Sequence, residues 1–214
     1  MAELTPRMLD GLPQNGPTDP IEYYRRPLVG WLFRERINMG LRMLGANSVD
    51  RVLEVGYGAG ALLLALAPHA RELYGIDLDA DPAPVERNLA LHGHRATLTR
   101  GSVYELPYES ERFDLVVCFS VFEHLHEFDR GLREVARVLA RGGRFLIGMP
   151  AVNRMMEFAF RAIGFKNIDD HHVTTPQRVA RAFAKTGFVV EKKRYLGLQM
   201  NGLALYYTWL LRKR

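Results

Sequence analysis

Cysteine is almost missing from these 214 residues: Cys118 stands alone, so no intramolecular disulfide can form and a reducing compartment suits the chain. Long apolar runs are missing as well. The longest, Leu196 to Leu211, has 16 residues and is interrupted by Gln199 and Asn201, short of the ~20 that span a bilayer. The opening Met-Ala-Glu-Leu-Thr-Pro-Arg has no basic segment leading into an apolar core, so no signal peptide is expected and the cytoplasm is the expected location. Neither sign of charge dominates, with 29 Lys and Arg against 24 Asp and Glu, and 48% hydrophobic residues exclude disordered and fibrous classes. The basic surplus is local. Residues 185–214 hold seven basic side chains and one acid, Glu191, which suits a solvated face or attraction for phosphates, anionic lipid or an acidic substrate.

What is present points to one good-sized unit with an arm. Residues 1–20 contain four of the eleven prolines with Gly11 and Gly16, a composition that resists helix and sheet and reads as an irregular N-terminal arm. Asp19 and Pro20 then open a long N-terminal helix over 21–44, broken near Pro27 and stopped by Gly45. From Arg51 short apolar runs alternate with helical ones, the pattern of βαβ units and a parallel sheet. Strands are expected at 51–55, 72–77, 95–99, 113–119 and 144–149, and helices at 59–69, 82–92, 129–140 and 176–186. Val152, Met155, Met156, Ala159 and Ile163 recur at helical spacing and predict an inserted helix within 151–170 on the carboxyl side of the sheet. Phe188–Tyr195 and Leu203–Leu211, rich in aromatic and β-branched residues around Gly197 and Gly202, predict two final antiparallel strands. An interfacial helix with basic ends that docks on a membrane surface is the disfavoured alternative for this tail.

The sharpest local signal is Val52-Leu53-Glu54-Val55-Gly56-Tyr57-Gly58-Ala59-Gly60, a strand entering a glycine turn before a helix. Such a turn lets a ligand approach the backbone. By itself it also fits G-x-G-x-x-A, and Asp77 could hold an adenosine ribose either way, so an NAD-linked oxidoreductase is an open alternative. Glu54 argues against it: a carboxylate two residues before the first glycine repels a pyrophosphate and attracts an ammonium group.

Five further blocks follow in order. They are Gly75-Ile76-Asp77-Leu78, Gly101-Ser102-Val103-Tyr104-Glu105-Leu106-Pro107, Phe113-Asp114-Leu115-Val116-Val117, Phe122-Glu123-His124-Leu125, and Glu134-Val135-Ala136-Arg137-Val138-Leu139 leading to Gly142-Gly143. Between about residues 49 and 150 the chain resembles the class I S-adenosylmethionine-dependent methyltransferases, specifically the small-molecule group typified by ubiquinone and menaquinone biosynthesis methyltransferases. The resemblance implies an α/β fold: a Rossmann-like, seven-stranded, mostly parallel sheet with helices on both faces and a C-terminal antiparallel strand pair, in a single methyltransferase domain over 21–214. It implies S-adenosylmethionine as cofactor. Glu54 with Gly56, Gly58 and Gly60 would hold its methionine end, Asp77 its ribose, and Leu78 and Val103 its adenine, with Phe119 facing the sulfonium. Ser102 stands where the group usually has an acid, which leaves the adenine amino contact without a charge and is the one hint of a non-catalytic cofactor-binding module.

Methyl transfer needs alignment and, for many acceptors, a base. His124, just past the fourth strand, is the expected catalytic base, the bland alternative being that Glu123 and His124 only satisfy turn backbone. Tyr23, Tyr24, Met155, His171 and His172 are expected on the acceptor side, suiting a small apolar or aromatic acceptor. No metal is expected, because Ser120 replaces the first acid of Glu-x-x-Glu-His and a hard cation wants more oxygen ligands than Glu123 and His124 supply. Cys118-Phe119-Ser120-Val121 lacks the Asn/Asp-Pro-Pro-Tyr of enzymes that methylate amino groups of bases, so no nucleic-acid partner is expected.

Overall fold

The computed structural model describes residues 3–16, 19–151, 173–197 and 204–214. They form a seven-stranded sheet in the order β3-β2-β1-β4-β5-β7-β6. The strands are β1 (Val49–Val55), β2 (Ala70–Asp77), β3 (Thr97–Arg100), β4 (Phe113–Phe119), β5 (Leu139–Pro150), β6 (Phe188–Gly197) and β7 (Ala204–Lys213). Pairings from β3 through β5 are parallel, and β7 lies antiparallel between β5 and β6. The expected sheet and its C-terminal antiparallel pair are therefore present. Parallel strands covered on both faces read as unbroken apolar runs, as Leu115-Val116-Val117-Cys118 does with every side chain fully buried.

One face is covered by α2 (Pro27–Leu44), α3 (Ala61–Leu66), α4 (Pro82–Leu91) and the N-terminal arm, the other by α5 (Phe128–Val138) and α6 (Pro176–Ala182). The N-terminal helix divides as its proline demands: α1 (Ile21–Arg25) stops at Arg26, whose extended backbone is what a residue before proline prefers, and α2 begins at Pro27. Gly45, at φ +79°, ends it. Pro at the first position and a capping side chain start α4 and α6, where Asp81 accepts from the Ala83 N–H and Thr175 from the Arg178 N–H.

Several expected boundaries move, three of them for reasons the backbone makes plain. The helix expected to begin at residue 59 begins at Ala61, because Gly60 is left-handed at φ +82° and belongs to the turn. The last helix gives way after Ala182 to a 3₁₀ turn, Ala184–Thr186, before Gly187. The strand expected from 144 starts at Leu139, which pairs with Phe113 across a register shift, while Gly142 at φ +73° bends the chain.

The arm is irregular apart from a 3₁₀ turn, Pro6–Leu9, yet it is packed: Leu4, Leu9 and Leu12 are buried against the α2 face. The Leu4 N–H donates to Asn38 Oδ1, and the Arg25 guanidinium bonds the Leu12 carbonyl. The inserted helix expected within 151–170 lies outside the described residues, apart from Ala151.

Candidate functional site

Where β1 ends, the chain makes three left-handed turns in five residues, with φ of +81° at Gly56, +49° at Gly58 and +82° at Gly60. Only glycine takes these angles without strain, and a Cβ at Gly56 or Gly60 would collide with Val121 or Val85. The result is a tight turn whose own side chains, Tyr57 and Ala59, are buried. At its base Glu54 is 3% exposed, and its Oε2 has no hydrogen-bond partner. Burial, with Asp77 adding to it, pushes the Glu54 carboxyl well above the usual carboxylate range. A buried acid with an unsatisfied oxygen beside this turn is suited to a cation that brings its own N–H donors.

Asp77, at the end of β2, accepts from the Gly58 N–H at 2.9 Å through one oxygen and from the Asp79 and Ala80 N–H groups at 2.9 Å through the other. It therefore orders the glycine turn, and its remaining lone pairs can still accept from ligand hydroxyls. Beside it Leu78 is 60% exposed and Val103 is buried, giving one open and one closed apolar surface. The Ser102 hydroxyl accepts from the Tyr104 N–H at 3.2 Å.

The arm reaches this turn through a residue that sequence reasoning passed over. Asn15 Nδ2 donates to the Gly58 and Asp81 carbonyls, and its Oδ1 accepts from the Asp81 N–H, each at 2.9 Å. Asp19 accepts from the Asn15 and Ile21 N–H groups and sits against Gly58. Burial pushes the Asp19 carboxyl up to about 6, held back by those two backbone bonds and raised further by Asp77. Asn15-Gly16 reads in the sequence only as a turn, and nothing local announces its distant partners.

A second group gathers at the carboxyl end of β4. Arg36 of α2 is 9% exposed; its Nη1 donates to Ser120 Oγ at 3.1 Å and its Nη2 to Tyr24 Oη at 2.9 Å. Phe33, Tyr206 and Tyr24 place their rings 4.5, 5.3 and 5.5 Å from its guanidinium carbon. Ser120, at φ +56°, also shares a 2.9 Å hydrogen bond with Tyr206 Oη. Glu123 is 1% exposed, and burial pushes its carboxyl up to about 8 against the pull of Arg36 and a bond to Ser120. Tyr206 is raised too, chiefly by burial. Sequence reasoning missed Arg36 and Tyr206 and treated Glu123 and Ser120 only as turn or metal residues. One signal was available: Arg36 shares the apolar face of α2 with Phe33, Ile37 and Gly40.

Of the expected residues, Phe119 is buried and stacks on Tyr206 at 6.2 Å, pressed against Gly40 and Gly148, so its ring is fixed in the α2 core. His124 ends the 3₁₀ turn Phe122–His124, with an exposed side chain and its N–H on the Val121 carbonyl. Tyr24 joins the Arg36 group, and Tyr23 stacks on Phe33 at 5.6 Å. Met155, His171 and His172 lie outside the described residues. Among the described residues no three His, Cys, Asp or Glu side chains gather as metal ligands, and no helix is long and apolar enough to cross a membrane. A separate groove of about 410 Å³ lies between α6 and the β6–β7 pair, lined by Arg181, Lys193, Tyr207 and Trp209 among others, away from the glycine turn.

The family described as a methyltransferase domain matches residues 53–147, from β1 into β5. The chain is similar to an uncharacterized methyltransferase of Geobacillus thermodenitrificans, 30% identical over 181 residues that cover 79% of this chain and 80% of that protein. It is also similar to the uncharacterized methyltransferase YcgJ of Bacillus subtilis, 32% identical over 130 residues, 59% of this chain and half the length of that relative. In fold it matches the N-methyltransferase NodS of Bradyrhizobium japonicum, solved in complex with S-adenosyl-L-homocysteine, with a TM-score of 0.65 at 19% identity over 97% of this chain and 95% of that one. The left-handed glycine turn, the buried acid beneath it and these relatives together make the chain a member of the class I S-adenosylmethionine-dependent methyltransferases.

Proposed function

We propose that this chain transfers the methyl group of S-adenosylmethionine to a small acceptor whose body is apolar or aromatic. The observation that carries the reading is Glu54, a buried carboxyl with an unsatisfied oxygen at the foot of a turn with three left-handed glycines. When bound, the cofactor supplies a methyl on a positively charged sulfur, an intrinsically driven donor. Glu54 binds its ammonium group, the Gly56–Gly60 backbone lies against its methionine portion, and Asp77 accepts from its ribose hydroxyls. Leu78 and Val103 flank the adenine. Ser102 offers a hydroxyl where an acid is usual, which sets orientation without charge. Phe119, at the end of β4, would face the sulfonium, and Tyr23 and Tyr24 give the acceptor side its aromatic lining, while His124, exposed beyond β4, takes the acceptor proton as the new bond forms.

Calorimetry tests the cofactor side. S-adenosylmethionine and S-adenosylhomocysteine should both bind, NADH should not compete, and Asp77→Ala should weaken binding at least tenfold. Loss of a charged acceptor costs about 1.5 to 3 kcal/mol, roughly ten- to a hundredfold. Wild-type affinity in the variant would remove Asp77 from the site. Incubating cell extract with deuteromethyl-labelled cofactor and reading the products by mass spectrometry identifies the acceptor, and absence of any labelled product would favour a non-catalytic binding module.

A further inference from the structure

Arg36 is a permanent cation in the interior, and the acid that acts on it, Glu123, does so from beyond ion-pair distance. Its hydrogen-bond partners, Ser120 and Tyr24, are hydroxyls, and its flanking groups are the rings of Tyr24, Phe33 and Tyr206. Among the described residues no carboxylate comes within ion-pair distance of it, and its Nε has no partner at all. We propose that Arg36 is the specificity-determining residue for the acceptor and that it receives a carboxylate of that acceptor. This substrate class rests on the methyl-transfer reading above.

The geometry favours a carboxylate over a neutral ligand. Both Nη groups already donate to hydroxyls, so Nε–H is the buried donor left without a partner, and a carboxylate oxygen satisfies it with charge as well as a hydrogen bond. The nearest internal acid, Glu123, does not compete at neutral pH, since burial holds its proton up to about 8. The site also sits where an acceptor must be. Ser120 carries two of the cluster's bonds, and the next residue, Val121, packs over Gly56 of the cofactor turn. Ser120 is a non-glycine residue at φ +56°, and strained backbone of this kind persists where the surrounding structure holds it for use. Phe119, Tyr24 and Tyr206 are buried around it and make its surroundings aromatic, which suits a carboxylate carried on an apolar or aromatic body. If Arg36 served only to tie α2 to β4, the protein would show no preference for anions.

The test uses the full chain saturated with S-adenosylhomocysteine and titrated calorimetrically with matched pairs: benzoate and benzamide, 4-hydroxybenzoate and 4-hydroxybenzamide, indole-3-acetate and indole-3-acetamide. At least one carboxylate is expected to bind tenfold or more tightly than its amide. Arg36→Gln should reduce that ratio to about one, and Arg36→Lys, which keeps the charge and loses the fork, should leave an intermediate ratio. Affinity for S-adenosylhomocysteine in both variants should stay within twofold of wild type, which reports that the fold and the cofactor side are intact. Equal binding of acid and amide, no saturable binding of any carboxylate, or a preference that survives Arg36→Gln overturns the proposal and leaves the cofactor reading standing. If Arg36→Gln does not fold, the wild-type ratio and the Lys variant decide. Failure of wild-type protein to bind S-adenosylhomocysteine overturns both readings together.

Discussion

On the β1 side of the site, Glu54 and the three glycines lie within seven consecutive residues of one strand-to-helix turn. On the β4 side, Arg36, Ser120 and Tyr206 come from a helix, a strand end and the penultimate strand of the sheet order, and the two hydrogen bonds that join them span 84 and 86 residues. The first half is a property of local backbone: left-handed φ angles need glycine, and glycine spacing is visible in a string of letters. The second half exists only after the sheet has placed β7 beside β5 and α2 has settled across both. On the function proposed above, the cofactor would be met by local, portable geometry, whereas the groups proposed to face the acceptor depend on long-range assembly.

That dependence sets the largest expected effect. Deleting residues 198–214 removes β7, which pairs with β5 from Arg144 to Pro150 and with β6 along its length. It takes away the buried side chains of Tyr206, Thr208, Trp209, Leu210 and Leu211. At roughly 1.5 to 3 kcal/mol for each large apolar side chain, this exceeds much of the 5–15 kcal/mol that holds an ordinary domain folded. Expression should yield insoluble protein. A soluble, active truncation that no longer co-sediments with anionic liposomes would instead restore the membrane-docking view of the basic tail and separate the two halves of the site as independent units.

Next in size is a test that should act on one half alone. His124→Ala should lower turnover by ~10² or more while affinity for S-adenosylhomocysteine stays unchanged, because a base assists only in the transition state. Chelators should have no effect on wild-type turnover. Activity lost to a chelator and restored by a divalent ion would contradict the metal-free reading, and a cofactor affinity that fell with turnover would mean that His124 supports the glycine turn.

The parallel-sheet strands, the break near Pro27 and the glycine turn were legible because each follows from a short-range rule: apolar runs bounded by turns, the restriction before proline, and φ angles open to glycine; the seven-stranded arrangement came from the family resemblance. Asn15 and Arg36 were not. Each makes its decisive bonds to residues that no spacing rule connects to it, Asn15 to Gly58 and Asp81 and Arg36 to Ser120. Asp77 shows the intermediate case. Its position was legible, but its bonds to three backbone N–H groups, which let it shape the turn as well as face it, became visible only in the folded chain.

The smallest expected effect concerns the protons stored in the two halves, read as stability against pH. Glu123 is almost fully buried, and its carboxyl is raised from the ordinary 4.5 to about 8. Between those values the unfolded chain carries a carboxylate while the folded chain keeps the proton, so the folded state binds more protons and stability falls as pH rises. Below about 4.5 both states are protonated and this contribution is fully present; it is lost progressively and is gone once pH passes the folded value. Wild-type protein without ligand should therefore melt at a lower temperature at pH 8 than at pH 6, by several degrees at about 2–4 °C per kcal/mol for a chain of this size. Glu123→Gln mimics the protonated carboxyl at every pH, so its melting temperature should match wild type only below about pH 4.5, exceed it at pH 6 and decline less towards pH 8. The slope that remains in the variant then reports the other acids that burial raises, Glu54 and, nearer pH 6, Asp19. Saturating S-adenosylhomocysteine, whose ammonium group favours the ionised form of Glu54, should flatten the Glu54 part of that remainder in Glu123→Gln but leave the Glu123 part of the slope in wild type. If the variant keeps the full wild-type slope, the buried proton does not reside at Glu123, and the acceptor half loses the neutral carboxyl that leaves Arg36 uncompensated.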